Sequence, residues 1–360
     1  MGRMAMAGGA LALVFLALLP RGSCQNDSQT PALFVFGDSL VDAGNNNYLN
    51  TFSRANFPPF GMNFDQHRAT GRFTDGRLIP DYIASFLNLP FPPPYLGAGG
   101  NVLQGANFGS GGAGIHNSTG AGMGDHAPLY RQIEYFREAK EALDSSLGAY
   151  NSSLLVSKSI FYISIGNNDF ANNYYRNPTL QRNYTLDQFE DLLISILRRQ
   201  IKELYGLNAR KFVISSVAAL GCNPMSLYIY RLETPGQCAS DYDGAARSYN
   251  RKLHAMVEEL RLTLIESHMV YANLYEIMTA TIKNGTAHGF SNVNTPCCPF
   301  GSYFECFMFA PTCTNASEHV FWDLFHPTGR FNHLAARRFW FAAPNGSDVW
   351  PFNIHHLSKL

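Results

Sequence analysis

The amino-acid sequence predicts an α/β fold: a parallel sheet covered by helices on both faces. Two observations carry this. Short runs rich in β-branched and aromatic residues recur along the chain, and segments of helical periodicity fall between them. A third observation sets the organisation. No long linker, low-complexity stretch or internal repeat interrupts residues 25–360, which therefore read as one domain.

The first strand is expected over 32–36, an unbroken apolar run of the kind that is buried on both faces. A helix follows over 78–87 with its apolar positions on one side, then a short strand over 102–108 and an amphipathic helix over 128–143. SIFYISI, at 159–165, is β-branched and aromatic and reads as a central strand. Over 186–205, Phe189, Leu193, Ile196 and Leu197 share one helical stripe, and Thr185 with Gln188 fits a capping box at its start. A strand over 211–217, a long helix over 245–264, a strand over 268–272 and a last helix over 330–341 complete the alternation. Sheets of this kind hold their sites at the carboxyl ends of the strands, so the chemistry is expected there.

Composition narrows the class of protein. Hydrophobic residues make up 46% of the chain and charged residues 15%, enough for a packed core. Lys+Arg and Asp+Glu both number 27, a balance that gives no electrostatic ground for nucleic acid or an anionic membrane as a partner. Residues 1–24 read as a secretory signal peptide: Arg3 is the positive start, 11–19 the apolar run, and Gly22-Ser23-Cys24 the small-residue cleavage site. That run is shorter than the roughly 20 residues a membrane-spanning helix needs, and no later segment is apolar enough. The mature chain is expected to begin near Gln25 and to be exported.

Cysteine and asparagine usage fit export. Cleavage after Cys24 leaves six cysteines, Cys222, Cys238, Cys297, Cys298, Cys306 and Cys313, an even number suited to disulfides in an oxidising compartment. The local pair Cys222–Cys238 is the favoured one, and closing a loop of that size is worth about 3 kcal/mol in the chain-entropy account. Asn-X-Ser/Thr sequons stand at Asn26, Asn117, Asn151, Asn183, Asn284, Asn315 and Asn345, and several are expected to carry glycans.

Four motifs fall at strand ends or in loops. Gly37-Asp38-Ser39 closes the first strand; a serine there is a nucleophile only if a base removes its proton, and otherwise an ordinary helix cap. It lacks the G-x-S-x-G setting of a nucleophile elbow. Asn107-Phe108-Gly109-Ser110-Gly111-Gly112-Ala113-Gly114 lets backbone N–H groups face a cleft, or is simply a turn; no lysine marks it as a phosphate cradle. Gly166-Asn167-Asn168-Asp169 follows SIFYISI, and an asparagine amide there can donate to a developing oxyanion or make an Asx turn. In Phe321-Trp322-Asp323-Leu324-Phe325-His326-Pro327, the carboxylate can hold one imidazole nitrogen while the other faces a nucleophile. No third metal ligand lies at a suggestive spacing, and His355-His356 reads as solvent-exposed. Each motif alone has a bland reading, whereas the four together make a parts list for acyl transfer that needs no metal or cofactor.

At these residues the chain resembles the GDSL lipase/esterase family, in its plant secreted branch within the SGNH-hydrolase group. The resemblance rests on FVFGDSLVDAGNNN, TGRFTDGRLIPDYIA, GANFGSGGAGI, YISIGNNDF, LGCNP and VFWDLFHPTG, in that order along nearly all of the mature chain. It implies a three-layer α/β/α sandwich with a roughly five-stranded parallel sheet, flavodoxin-like in character. It further implies Ser39 as nucleophile, His326 as base, Asp323 as the orienting acid, and Ser39 N–H, the Asn168 amide and a glycine N–H, placed at Gly111 with Gly112 the one-residue alternative, as oxyanion donors.

The implied function is a secreted serine carboxylic ester hydrolase of the extracellular space or cell wall. Its substrates would be lipid acyl esters or O-acetyl groups of cell-wall polysaccharide. The alternatives are an acyltransferase using the same serine chemistry and a catalytically weak, glycosylated binding protein. There are two departures from the family pattern: Gly329, the one support for the last of these readings, stands where family members usually carry Glu and would loosen the helix behind His326, and Gly109 stands where Ala is common, a smaller change that would loosen its loop. The run 170–175, with two asparagines and two tyrosines, could offer sugars a surface, but ordinary loop packing is the preferred reading.

Overall fold

The computed structural model describes residues 1–2, 30–99, 101–233, 237–298 and 306–360. The leader over 3–24, with its cleavage site, and the Asn26 sequon lie outside the described residues. Among the described residues six strands form one sheet: β1 (Leu33–Gly37), β2 (Gly105–Asn107), β3 (Ile160–Ser164), β4 (Lys211–Ser215), β5 (His268–Ala272) and β6 (Val349–Trp350), in the order β2-β1-β3-β4-β5-β6. The first five are parallel, as the alternation requires, and β6 pairs with β5 in the antiparallel sense through Tyr271–Trp350 and Ala272–Val349. This sixth strand is the one addition to the expected sheet, and its two residues are too short to show a periodicity.

Among the described residues ten α-helices surround the sheet: α1 (Ile79–Phe86), α2 (Leu129–Leu147), α3 (Ala149–Lys158), α4 (Pro178–Asn183), α5 (Leu186–Gly206), α6 (Pro224–Ile229), α7 (Ser240–Thr263), α8 (Leu274–Lys283), α9 (Gly329–Phe341) and α10 (Ile354–Lys359). Alternating strand residues divide the core in two. Phe34, Phe36, Phe161, Ile163, Phe212 and Ile214 pack with Ile133 and Phe136 of α2, Phe189 and Leu193 of α5, and Leu253 and Met256 of α7. Leu33, Val35, Ile160, Tyr162, Val213 and Val270 pack with Ile83 of α1, Ile277 of α8, Phe331 and Phe339 of α9, and Leu357 of α10. The result is a three-layer sandwich whose strands are apolar on both faces because both faces are covered.

Differences from expectation are local. The capping box of α5 is present, Thr185 Oγ1 accepting from Gln188 N–H at 3.3 Å and Gln188 Oε1 from Thr185 N–H at 2.9 Å. Its buried stripe includes Ile194 rather than Ile196, which is half-buried. The long helix α7 starts at Ser240, five residues before its expected start, running straight through Gly244.

Candidate active site

The site begins with the way β1 ends. A Cβ on Gly37 would lie 2.0 Å from the Ser164 carbonyl oxygen, so only glycine lets the two strands meet at this point. Gln132 of α2 clasps the same peptide: Gly37 N–H donates to Oε1 at 2.8 Å, and Nε2 donates to Gly37 O at 2.8 Å. The chain then folds back, with the N–H groups of Val41 and Asp42 both donating to Asp38 O at 3.1 Å, and this turn leaves Ser39 half-buried in a cleft. Asp38 lies beneath it, fully buried, accepting from Leu40 N–H at 3.0 Å and from Asn167 Nδ2 at 2.9 Å. Burial outweighs these hydrogen bonds and pushes the Asp38 carboxyl up to about 6.

Across the cleft, 321–327 forms a tight turn closed by the Phe321–Pro327 bridge and by Trp322 N–H donating to His326 O at 2.8 Å. Inside it, Asp323 Oδ1 accepts the N–H groups of Phe325 at 2.9 Å and His326 at 2.7 Å. The same carboxylate meets His326 Nδ1 at 2.9 and 2.8 Å. With Nδ1–H donating to the carboxylate, Nε2 is left as the acceptor, and it lies 2.9 Å from Ser39 Oγ. Asp323 and His326 are almost fully buried. Cys297 and Cys298 brace the segment from behind: their N–H groups donate to Phe321 O at 3.0 Å and Trp322 O at 2.6 Å. Both cysteines are cross-linked, Cys297 to Cys313 and Cys298 to Cys306, and the expected Cys222–Cys238 bridge closes its own loop.

The glycine-rich block and Asn168 face the same cleft, with one correction. Gly111 N–H is committed to Asp42 Oδ2 at 3.0 Å; Gly112, one residue on, lines the cleft. Among the described residues neither Ser39 N–H nor Gly112 N–H has a protein acceptor. The Asn168 amide is held at both ends: Nδ2 donates to Ala113 O at 3.0 Å and Oδ1 accepts from Asn172 Nδ2 at 2.7 Å. This fixes which way the amide points and leaves its second N–H for the cleft. The cleft thus brings together a hydroxyl beside an imidazole acceptor and three residues, Ser39, Gly112 and Asn168, that have an N–H to offer an oxyanion, a combination suited to acyl transfer.

Comparison with known proteins agrees. Residues 33–339 match the model of the GDSL-like lipase/acylhydrolase family. This chain belongs to the GDSL lipase family. It is 38% identical over 351 residues to GDSL esterase/lipase At4g16230 of Arabidopsis thaliana, covering 94% of this chain and 93% of that protein. GDSL esterase/lipase At3g50400 of the same plant is 39% identical over 344 residues, covering 91% of each chain. GDSL esterase/lipase APG, also of Arabidopsis thaliana, is 36% identical over 316 residues, covering 85% of this chain and 89% of that protein. The protein is accordingly a serine esterase/lipase.

Several residues that shape this GDSL site were not singled out from the sequence. Asn167 ties two strand ends together, its Nδ2 on Asp38 and its Oδ1 accepting from Ala218 N–H at 3.0 Å. Asp169 pins the glycine-rich block to the end of β3 by accepting from Ile115 N–H, His116 N–H and Thr119 Oγ1 at 2.7 to 2.9 Å. Asp42 accepts from Gly44, Asn45 and Gly111 N–H. Burial pushes both carboxyls up to about 6. The signal was present in the clustering of Asp and Asn at two strand ends, a composition that serves buried turns. In 170–175, Tyr174 stacks on Phe189 and Tyr175 on Tyr242, which is loop packing.

The two departures from the family pattern prove well supported. Gly329 N–H donates to Asp75 Oδ1 at 2.8 Å, so a carboxylate from the TGRFTDGR segment sits at the start of α9. Thr328 caps that helix, and Thr74 Oγ1 donates to Pro327 O at 2.9 Å. A Cβ at Gly329 would come within 3.1 Å of Gly76 Cα, so the glycine allows two backbones to touch. Gly109 is likewise pinned rather than loose, its N–H on Asn107 Oδ1 and its carbonyl accepting from Asn45 Nδ2. His355 and His356 are exposed. Among the described residues no group of three or more His, Cys, Asp or Glu side chains is arranged to hold a metal ion.

Proposed function

We propose that this GDSL enzyme is an exported hydrolase of carboxylic esters in which Ser39 is the nucleophile. His326 Nε2 takes the Ser39 proton as Oγ attacks the ester carbonyl, and Asp323 holds the imidazole and balances its positive charge. The tetrahedral oxyanion is received by Ser39 N–H, Gly112 N–H and Asn168 Nδ2–H. His326 then returns the proton to the leaving alcohol, and a water, deprotonated by the same imidazole, releases the acid and restores Ser39. The observation that carries this reading is the continuous Ser39–His326–Asp323 hydrogen-bond chain opening onto a cleft with two uncommitted backbone N–H groups.

The cleft is apolar along one wall, where Ala218, Ala219, Leu220, Met278 and Phe321 stand. Such a wall suits the acyl chain of a lipid ester better than a bare acetyl group. Export is supported by three disulfides and by the exposure of Asn117, Asn151, Asn183, Asn284, Asn315 and Asn345, the sequon asparagines that glycans require. Among the described residues no helix is long and apolar enough to cross a membrane.

The deciding experiment compares wild type with Ser39→Ala on p-nitrophenyl esters of increasing chain length, beside acetate release from acetylated xylan. The variant is expected to lose roughly 10⁴–10⁶-fold in rate and all labelling by a fluorophosphonate. Retention of most activity overturns Ser39 as nucleophile, and acetate release exceeding cleavage of every longer ester overturns the lipid preference.

A further inference from the structure

One row of side chains leads out of the oxyanion region. Asn168, Asn172 and Arg176 follow β3 at intervals of four residues through a π-helical turn and the 3-10 turn after it, and all three line the cleft. Asn172 is bonded back to Asn168, and the same cleft is lined by the apolar side chains of Leu220, Met278 and Phe321. Arg176 ends the row. Among the described residues the ionisable side chains lining the cleft are Asp38, His326 and Arg176, and the first two are engaged beneath and beside Ser39. Arg72, Arg77 and Arg338 are each paired with an aspartate, whereas exposed Arg176 pairs with no described carboxylate. Asp241, which with Arg176 sets the field at Tyr242, does not line the cleft.

A lone guanidinium at the mouth of an otherwise uncharged cleft is a recognition element for carboxylate or phosphate oxygens. We infer that Arg176 selects esters bearing a negative charge remote from the scissile bond. Arg176 lies eight positions beyond Asn168, and at roughly 1–2 Å of rise per residue through these turns that charge sits on the order of 10 Å from the oxyanion donors. The substrate class is therefore an anionic ester: an acyl group that fits the apolar wall, joined to a carboxylate or phosphate that reaches Arg176. This rests on Ser39 hydrolysis as proposed above and adds to it the charge of the substrate.

The test uses p-nitrophenyl hemiesters of α,ω-dicarboxylic acids, short to long, each beside its uncharged methyl-capped counterpart, and a phosphate-bearing pair of the same reach. The readout is the ratio of kcat/KM, charged over uncharged, in each protein. Wild type is expected to favour the charged member by roughly 3- to 10-fold for the longer acids, a preference that fades in high salt. Arg176→Gln is expected to bring the ratio near unity, and Arg176→Glu to invert it. Thermal melting checks that the variants are folded. A wild-type ratio near unity at every length, or a ratio that survives Arg176→Gln, overturns the inference while leaving Ser39 chemistry standing. Loss of all ester cleavage, charged and uncharged, from folded wild type overturns the hydrolase reading instead. A preference confined to carboxylates or to phosphates identifies which anion is read.

Discussion

Asp75 and Gly329 meet at 2.8 Å across 254 residues of sequence, a carboxylate oxygen accepting the first N–H of the helix that follows His326. The same carboxylate accepts from Asn63 Nδ2 at 2.8 Å through its other oxygen. One buried aspartate thus joins an early loop to the segment carrying the imidazole, and it supplies the negative charge that a helix start favours. The short side chain succeeds because Gly76 and Gly329 let the two backbones come into contact.

Replacing Asp75 with Ala is expected to cost about 1–3 kcal/mol in unfolding free energy, since the N–H of Gly329 and the amide of Asn63 both lose their acceptor. Gly329→Glu, which restores an acid on the helix itself, is expected to destabilise as well, because its Cβ presses on Gly76. Urea denaturation of the two variants beside wild type checks both signs. A neutral or stabilising Gly329→Glu contradicts the close-packing account.

Asn168 is expected to act in the transition state more than in binding. Asn168→Ala should lower kcat by roughly 10²–10³-fold, about 2.7–4 kcal/mol, with little change in KM. Asn172→Ala removes the hydrogen bond that orients the Asn168 amide and should lower kcat by roughly 3- to 10-fold. Steady-state kinetics on a single neutral ester distinguish the two. An Asn168→Ala defect found wholly in KM would contradict its placement as an oxyanion donor.

Three buried aspartates give stability a defined pH dependence. The Asp38, Asp42 and Asp169 carboxyls are each raised by burial from 3.8 to about 6. The folded chain therefore holds protons that the unfolded chain has released between pH about 4 and 6. Their contribution to stability is complete below the unfolded value and is lost as pH rises through about 6. Asp38→Asn removes one of these titrations and should flatten the fall between those limits by on the order of 2 kcal/mol. Urea midpoints measured across the interval test this, and a slope identical to that of wild type would refute it.

Much of this architecture is readable from residue pattern. Strands buried on both faces announce themselves as apolar runs, and LFVFG, IFYIS and KFVIS lie within a residue or two of their expected ends. The short helices α3, α4, α6, α8 and α10 are not legible, because six to ten residues hold few turns; α1, of similar length, is legible because Ile79, Ile83 and Ala84 set a clear apolar side. For α8 a cap was visible, since Asn273 Oδ1 accepts from Glu276 N–H at 3.3 Å. Within the site, Ser39, Asn168, Asp323 and His326 stand out because their types carry chemistry. The choice between Gly111 and Gly112 was not legible, because two adjacent glycines differ only in which way each peptide faces, and Asp42 decides that through space. Asp75 escaped notice for the same reason: its partner is a backbone N–H with no signature of its own.

The seven-residue turn from Phe321 to Pro327 makes acid and base a prefabricated unit, internally closed by its own backbone and backed by two cross-links. For the proposed proton transfer, the long-range fold has one spacing left to set, the gap between that unit and the hydroxyl on β1's far end. Rigid-body drift of the C-terminal third, even with every local contact intact, switches the proton transfer off. Inactivation on heating should thus precede the collapse of the sheet, reporting undocking rather than melting.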